Sequence, residues 1–414
     1  MYNRRVVVTG FGAITPLGND ALTFWSNIKS GVCGIRPVTS FDTSEQKAKL
    51  AAECDADILD FLSPQEAKRT ERYIWFALAA GREALKMSGI TRENADFTRC
   101  GTLVSSGIGG LTTITREYDR GNERGFDRVW PYFIPQSIAN MAAGQLAIET
   151  GFAGYCSSVV TACAGGTNAI GDSMRTIRHG YADVMLCGGT EACIAPLTLG
   201  GFTSMKALYE GGDPSRASIP FDAERSGFVL GEGAGILVLE EYEHALRRGA
   251  EILCEVTGYG ATCDAYHITA PEPTAAAPTR AIADAVADAG LSPGAISYIN
   301  AHGTSTPMND KTETAAIKAA FGDSAYKIPV SSTKSMTGHL LAAAGAIEAI
   351  VCIGALRDGF VPPTINYKTP DPECDLDIVP NAGRPASLTH AMSVSLGFGG
   401  HNAAVIFSRT GGRI

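Results

Sequence analysis

The chain has 414 residues, enough for two or three domains of ordinary size or one large fused core. Its net charge of −9 argues against a surface built to coat nucleic acid. Hydrophobic residues make up 45% and charged residues only 19%, below the usual quarter, so the chain is mostly packed interior with little disorder.

Strands and helices alternate along the sequence. Arg5–Thr9 reads as a strand. Ser63-Pro64-Gln65-Glu66 is a capping box with Pro at the first helical position, and the helix it opens is expected to run to Gly89. Gly101–Ser105 reads as a strand, Ile134–Glu149 as a helix and Ser157–Ala162 as a strand. Asn168–His179 is helical, with Ile170, Met174 and Ile177 on one face. Ala182–Cys187 and Gly235–Leu239 follow as strands. The second half has the same plan. Thr274–Ala289 is a helix and Ile296–Ala301 a strand. Asp310–Ala320 is a helix, with Asp310 and Glu313 in capping-box spacing. Ile328–Ser332 is a strand, Gly338–Leu356 a helix, and Ala391–Leu396 and Asn402–Phe407 are closing strands. Such alternation implies layered α/β architecture. The boundary is placed near 240–250, giving halves 1–250 and 251–414 around a shared core. Val159–Cys163 and Val330–Lys334 echo each other, each leading a reactive residue toward a helix start; duplication and chance both fit that echo.

The eleven cysteines show no pattern and no CxxC pair, so a zinc ribbon or redox motif is not expected. A reducing cytoplasm fits them. The first ten residues are basic and then apolar for three residues only, so no secretory leader is expected. Leu340–Leu356 is short for a bilayer span and carries Glu348 in its middle, which reads as a buried helix. Gly10-Phe11-Gly12 lacks the third glycine of a dinucleotide fingerprint and reads as a tight turn after a strand. There is no phosphate loop, no GxSxG elbow and no close His pair of the zinc type.

Cys163 stands out because it leaves a strand and is followed by Gly165-Gly166 at a helix start. There the helix dipole favours a thiolate, and small residues leave room for a thioester. His302, ahead of Gly303-Thr304-Ser305-Thr306, lies at the rim of a sheet, where ligands bind in α/β folds. His339 opens an apolar helix after Lys334-Ser335-Met336-Thr337-Gly338. Gly397-Phe398-Gly399-Gly400 packs three glycines between two strands, more than a plain turn needs. His179, His244 and His390 have no such company.

Together these blocks resemble the β-ketoacyl-acyl carrier protein synthases, the elongating condensing enzymes of the thiolase superfamily. Val7–Gly12 and Gly231-Glu232-Gly233-Ala234 match as well, and the likeness spans nearly the whole chain in order. The resemblance implies a duplicated thiolase-like fold, five-layered α-β-α-β-α, and a homodimer. It implies acyl transfer to Cys163 and condensation with a malonyl thioester, the acyl and malonyl groups both arriving on acyl carrier protein. His302 and His339 would stabilise the enolate, and the N–H groups of Cys163 and Phe398 would form an oxyanion hole. Lys334 matches an active-site lysine, with Glu348 in support. Thr304, Thr306 and Thr269 match residues that bind phosphopantetheine, which arrives on the carrier protein; no metal or other cofactor is implied. Ile108 and Phe202 would line the acyl pocket, and Phe398 would gate it. His401 departs from relatives that have Thr there, and the glycine loop beside it is intact. Lys68 and Arg72, read as four apart on one face of the Ser63 helix with Arg69 adjacent, together with Arg128 and Lys206, are candidates for carrier-protein docking. Two other readings are a ketosynthase of a secondary pathway, which the motifs do not separate, and a non-catalytic partner subunit, against which Cys163 argues.

Overall fold

The computed structural model describes residues 4–410. Its first half contributes strands β1 (Val6–Ile14), β2 (Cys100–Ser105), β3 (Cys156–Ser157), β4 (Val184–Glu191) and β5 (Gly233–Glu241). Between them lie helices α1 (Arg72–Ser88), α2 (Met141–Thr150) and α3 (Gly165–Arg178). The second half repeats the series: β6 (Cys254–Cys263), α4 (Ala276–Asp288), β7 (Tyr298–Asn300), α5 (Pro307–Phe321), β8 (Val330–Ser331), α6 (Ala344–Asp358), β9 (His390–Gly397) and β10 (His401–Ser408).

The strand order is β8-β7-β9-β10-β6-β1-β5-β4-β2-β3, so each half has the same internal order. Each also has the same sense at every pairing. β2–β3 and β2–β4 are parallel, as are β7–β8 and β7–β9, while β4–β5–β1 and β9–β10–β6 are antiparallel. Matched order, matched sense and matched helices together make the sequence echo a duplication. β1 and β6 join the two halves through a short antiparallel pairing at Val7 and Val8. Helices α3 and α6 pack on each other and on strands of both halves, while α1 and α2 cover one outer face and α4 and α5 the other. This gives the five layers α-β-α-β-α. Helix α6 is buried from Ala344 to Leu356 and ends on Gly359 in the left-handed conformation. Among the described residues no helix is long and apolar enough to cross a membrane.

The Gly-x-Gly of β1 is neither a dinucleotide loop nor a turn. Both glycines lie within the strand, and a Cβ at Gly10 or Gly12 would fall 2.2 or 2.1 Å from the carbonyl oxygens of Ala84 or Ala80 in α1. In β6, a Cβ at Gly258 or Gly260 would fall 2.2 or 2.0 Å from the carbonyl oxygens of Ala285 or Ala281 in α4. The pair therefore sets how closely each outer helix lies on its sheet.

Three expected elements of the first half differ, and in the second the helix expected from Gly338 begins only at Ala344, after a 3-10 turn. The Ser63 capping box is present, but its helix covers only Pro64–Ala67, and Glu71 caps a new helix by accepting the Tyr73 N–H. The 134–149 helix is split, with Ile138 extended and its carbonyl accepting the Tyr73 hydroxyl at 2.6 Å. Only Cys156 and Ser157 of the expected 157–162 strand pair with β2. Beyond them side chains replace the ladder: Ser158 Oγ donates to the Val104 carbonyl and Ser105 Oγ to that of Val159.

Replacing Gly12 or Gly260 with Ala forces a methyl group into a helix carbonyl. Each variant is expected to lose about 1–3 kcal/mol of stability, read as a lower urea midpoint at unchanged slope. An unchanged midpoint in both would refute the close-packing role.

Candidate active site

Both central helices begin in the same way. Ala162–Ala164 forms a 3-10 turn before α3, and Leu341–Ala343 forms one before α6. Each turn opens on a non-glycine residue in the left-handed region, Ala162 and Leu341, both with φ near 48°. Such backbone is costly and persists only where packing fixes it. Here the fixing is mutual: a Cβ on Gly166 would meet the Ala342 carbonyl oxygen at 2.7 Å, and one on Gly345 would meet Thr167 Oγ1 at 2.1 Å. Gly165 lies against Ser105 Oγ. Of the glycines beside Cys163, Gly166 thus serves the crossing of α3 and α6 and Gly165 the packing of α3 on β2. The glycine at Cys163's other side is Gly397, where a Cβ would sit 3.2 Å from the backbone nitrogen of Cys163.

His302 leaves β7 as expected. Its backbone N–H donates to Glu313 Oε1 at 2.6 Å, and that of Gly303 donates to Oε2 at 2.7 Å. Glu313 is therefore no capping-box partner of Asp310; α5 starts at Pro307, and Asp310 accepts the Phe221 N–H. Burial pushes the Glu313 carboxyl up to about 8, against the pull of those two N–H groups. His339 is held as a bridge, donating its N–H to Val229 O at 2.7 Å and accepting from Gly231 N. The two imidazoles stand edge to face, 5.1 Å between centroids at 85°.

Cys163, His302 and His339 converge: one ligand-type atom of each lies within 4.8 Å of the others, all three buried. They sit in a cavity of about 440 Å³. Ile108, Phe202, Phe398, Thr269, Thr304, Thr306 and Lys206 share its lining. Thr304 and Thr306 hydroxyls are 2.9 Å apart, and the Phe202 and Phe398 rings are 6.4 Å apart. Lys334 and Glu348 lie behind this cavity, 1% exposed and ion-paired to each other.

Burial pushes the Cys163 thiol up to about 11; Lys334 and the backbone N–H groups of Phe398 and Cys163, which donate toward the sulfur, lower it without prevailing. The expected thiolate at a helix start is thus overridden by desolvation. Burial, then Lys334, keeps both imidazoles well below their usual pKa, and His339 adds to the effect on His302. The trio is a protonated thiol beside two neutral rings.

Sequence reasoning missed Glu191. It closes β4, is fully buried and lines the cavity. Its carboxylate accepts the N–H groups of Gly107 and Ile108 and the Ser106 hydroxyl, fixing the loop that carries Ile108. A Glu ending an apolar run was its only signal.

The basic candidates divide. Lys68 and Arg69 are exposed, and the Arg69 guanidinium lies 5.4 Å from the Tyr132 ring centroid, four residues after exposed Arg128. Lys206 is exposed at the cavity. Arg72 is withdrawn from the set. It heads a different helix from Lys68 and donates to Glu232 at 2.6 and 2.9 Å and to the Cys54 carbonyl. That pairing accounts for the charged residue within Gly231-Glu232-Gly233.

The family model of the β-ketoacyl synthase N-terminal domain matches residues 3–245, and that of the C-terminal domain matches 253–368. The chain belongs to the β-ketoacyl synthase family. As a member it is a condensing, acyltransferase-type enzyme. The synthase is 51% identical over 408 residues to a 3-oxoacyl-[acyl-carrier-protein] synthase 2 of Synechocystis, covering 98% of both chains. It is 48% identical to the protein of that name from Staphylococcus aureus, over 98% of this chain and 99% of that one. Among solved structures, a β-ketoacyl synthase from Burkholderia phymatum superposes with a TM-score of 0.90 at 33% identity, covering 98% of this chain and all of that one. A ketosynthase in complex with its type II PKS acyl-carrier protein and bound to the hexaketide superposes equally well, at 36% identity over 99% of this chain and all of that one.

With its thiol near 11, Cys163 should alkylate with iodoacetamide about tenfold faster per pH unit between pH 7 and 9, because only thiolate reacts. Peptide mass spectrometry separates it from the exposed Cys33, Cys156 and Cys263. A rate that levels off below pH 8 would refute the protonated resting thiol.

Proposed function

We propose that this enzyme lengthens acyl chains in fatty acid synthesis by decarboxylative Claisen condensation on acyl carrier protein. The convergence of Cys163, His302 and His339 at one cavity carries the reading. An acyl group passes from the carrier's thioester to the Cys163 sulfur, the carrier thiol leaving with the cysteine proton by way of a neutral imidazole. Malonyl-carrier protein then loses CO2. His302 and His339 hydrogen-bond the enolate oxygen as its charge develops. The carbanion attacks the Cys163 thioester, whose oxygen is received by the N–H groups of Cys163 and Phe398. The thiolate leaves, and the β-ketoacyl product departs on the carrier two carbons longer.

The other residues fall into place around that sequence. Lys334, paired with Glu348, adds to burial in keeping the imidazoles neutral. Thr304, Thr306 and Thr269 hydrogen-bond the phosphopantetheine that the carrier brings; the enzyme needs no metal or cofactor of its own. Ile108 and Phe202 line the acyl pocket and Phe398 gates it. Lys68, Arg69, Arg128 and Lys206 receive the acidic carrier. Residues 1–250 and 251–414 are the two halves, supported by the repeated strand order. The enzyme works as a cytoplasmic homodimer. All eleven cysteines are unpaired, which suits a reducing compartment. Edge strand β3 and the exposed side chains of Ile134 and Val160 suit a second copy.

The likeness to a ketosynthase bound to a hexaketide favours one alternative, a secondary pathway using the same chemistry. Incubation with malonyl-carrier protein and acyl primers of graded length, followed by product masses, decides between them. Saturated acyl primers extended once support fatty acid elongation; repeated extension to polyketides refutes it.

Cys163→Ala should form no acyl adduct by intact mass. His302→Ala and His339→Ala should still acylate but condense about 10²–10³-fold more slowly. Condensation within about threefold of wild type in either would remove that histidine from the enolate step.

Reversing Lys68 and Arg69 to Glu should raise KM for acyl-carrier protein through slower association, more at low salt than at high. Turnover of a small pantetheine thioester, which needs no docking surface, should hardly change. Equal loss with both substrates would mean that the segment is structural.

A further inference from the structure

The trio at the cavity floor has a second chemical capacity. Its donor atoms are one sulfur and two imidazole nitrogens, the set that borderline-soft divalent ions prefer and that Mg2+ and Ca2+ do not. Tetrahedral Zn2+ binds sulfur at about 2.3 Å and nitrogen at about 2.0–2.1 Å, which sets its ligands about 3.3–3.6 Å apart. The three atoms already lie within 4.8 Å of one another, so closing on an ion moves each by about 1 Å or less. Among the described residues this is the one such cluster of three or more.

Three further features favour occupancy. Both histidines are 2% exposed, and each has a buried Nδ1 without a protein partner, so no hydrogen bond holds either ring against turning toward an ion. The neighbouring ammonium of Lys334 already has Glu348 as its counter-ion, which softens its repulsion of a dication. The cavity supplies an open fourth position and an entry path.

We propose that Cys163, His302 and His339 form a binding site for a divalent cation of the Zn2+ class, which occupies the place of the reacting thioester and reversibly blocks acyl transfer. The proposal rests on the reading of Cys163 as the acyl carrier. One sulfur–metal bond and two nitrogen–metal bonds form, the thiol proton passes to solvent, and no electrons are transferred. Because the unpartnered Nδ1 atoms leave the rings without the outer-shell support of a dedicated metal site, the ion is held loosely enough for a chelator to remove it.

The test uses the full-length enzyme carrying Cys33→Ser, Cys156→Ser and Cys263→Ser, so that exposed thiols do not compete. Zn2+ should inhibit at one equivalent, chelator should restore activity, and Mg2+ and Ca2+ should have no effect. Co2+, bound alone, should give a sulfur-to-metal charge-transfer band that Cys163→Ala abolishes. His302→Ala and His339→Ala should each weaken Co2+ binding by more than about tenfold, since even an outer-shell partner is worth that much; thermal melts confirm that these variants fold. A band that survives Cys163→Ala, unchanged binding in both histidine variants, or loss of inhibition on removing the exposed thiols would overturn the proposal. Acyl adduct mass without metal separates the two readings. If Cys163 acylates normally and Zn2+ leaves acylation untouched, only the metal site fails; if Cys163 never acylates, the nucleophile assignment itself fails.

Discussion

Helices α3 and α6 cross where neither has room for a Cβ, at Gly166 against the Ala342 carbonyl and at Gly345 against the hydroxyl and backbone nitrogen of Thr167. That contact brings the start of each central helix to the same point. Because each start is the end of a connection from its own half, the crossing joins Cys163 of the first half to His339 of the second, and His302 reaches the same point from the end of β7. A methyl group at either glycine would part the helices and with them the cavity floor. The left-handed residues Ala162 and Leu341 are strained backbone held by the same crossing. Much of what surrounds the site follows from this one approach of two backbones.

Burial on that scale decides the electrostatics. Desolvation is the largest influence on the Cys163 thiol and on both imidazoles, and in each case it favours the neutral form. Lys334 is the next influence on all three. It favours the thiolate but opposes the imidazolium, so it moves the site in a single direction: toward a reactive sulfur beside neutral rings. The charge is held in the interior by Glu348, whose second carboxylate oxygen has no partner. A buried ion pair of this kind contributes little net stability, because the cost of dehydrating both charges offsets their attraction. Its value lies in the field it projects on the cavity.

The sequence made the strands at the centre of the sheet legible, because β1, β4, β5, β9 and β10 are apolar runs bounded by turns. It did not show β6, whose glycines and threonines dilute the apolar pattern, yet Gly258 and Gly260 repeat the packing of Gly10 and Gly12. The glycine pair beside Cys163 was visible, but its purpose was not, since a glycine that admits a helix and one that admits a ligand are the same letter. The spacing of Asp310 and Glu313 suggested a cap; only the fold shows Glu313 turned inward to the His302 backbone. Lys68 and Arg72 have helical spacing, but the helix ends between them and Glu232, distant in sequence, claims Arg72. In each case the local pattern was real and a long-range partner decided its use.

The clamps on the converging side chains differ in kind from the rest of the cavity wall. His302 is fixed through its backbone by buried Glu313, His339 by its bridge to Val229 and Gly231, and Cys163 by the 3-10 turn against Gly397. None of these depends on solvent-exposed contacts. The facing wall carries Phe398 next to Gly399 and Gly400, both with positive φ, then half-buried Phe202 and the exposed side chains of Met205 and Met308. Aromatic and methionine side chains rearrange at little cost, and paired glycines allow the backbone between them to turn. Movement of that wall can therefore change the shape of the cavity while the backbones that carry Cys163, His302 and His339 stay in place. The fold separates the part of the cavity that must adapt from the part that must not, and it does so by placing the first on a loop and the second on buried backbone.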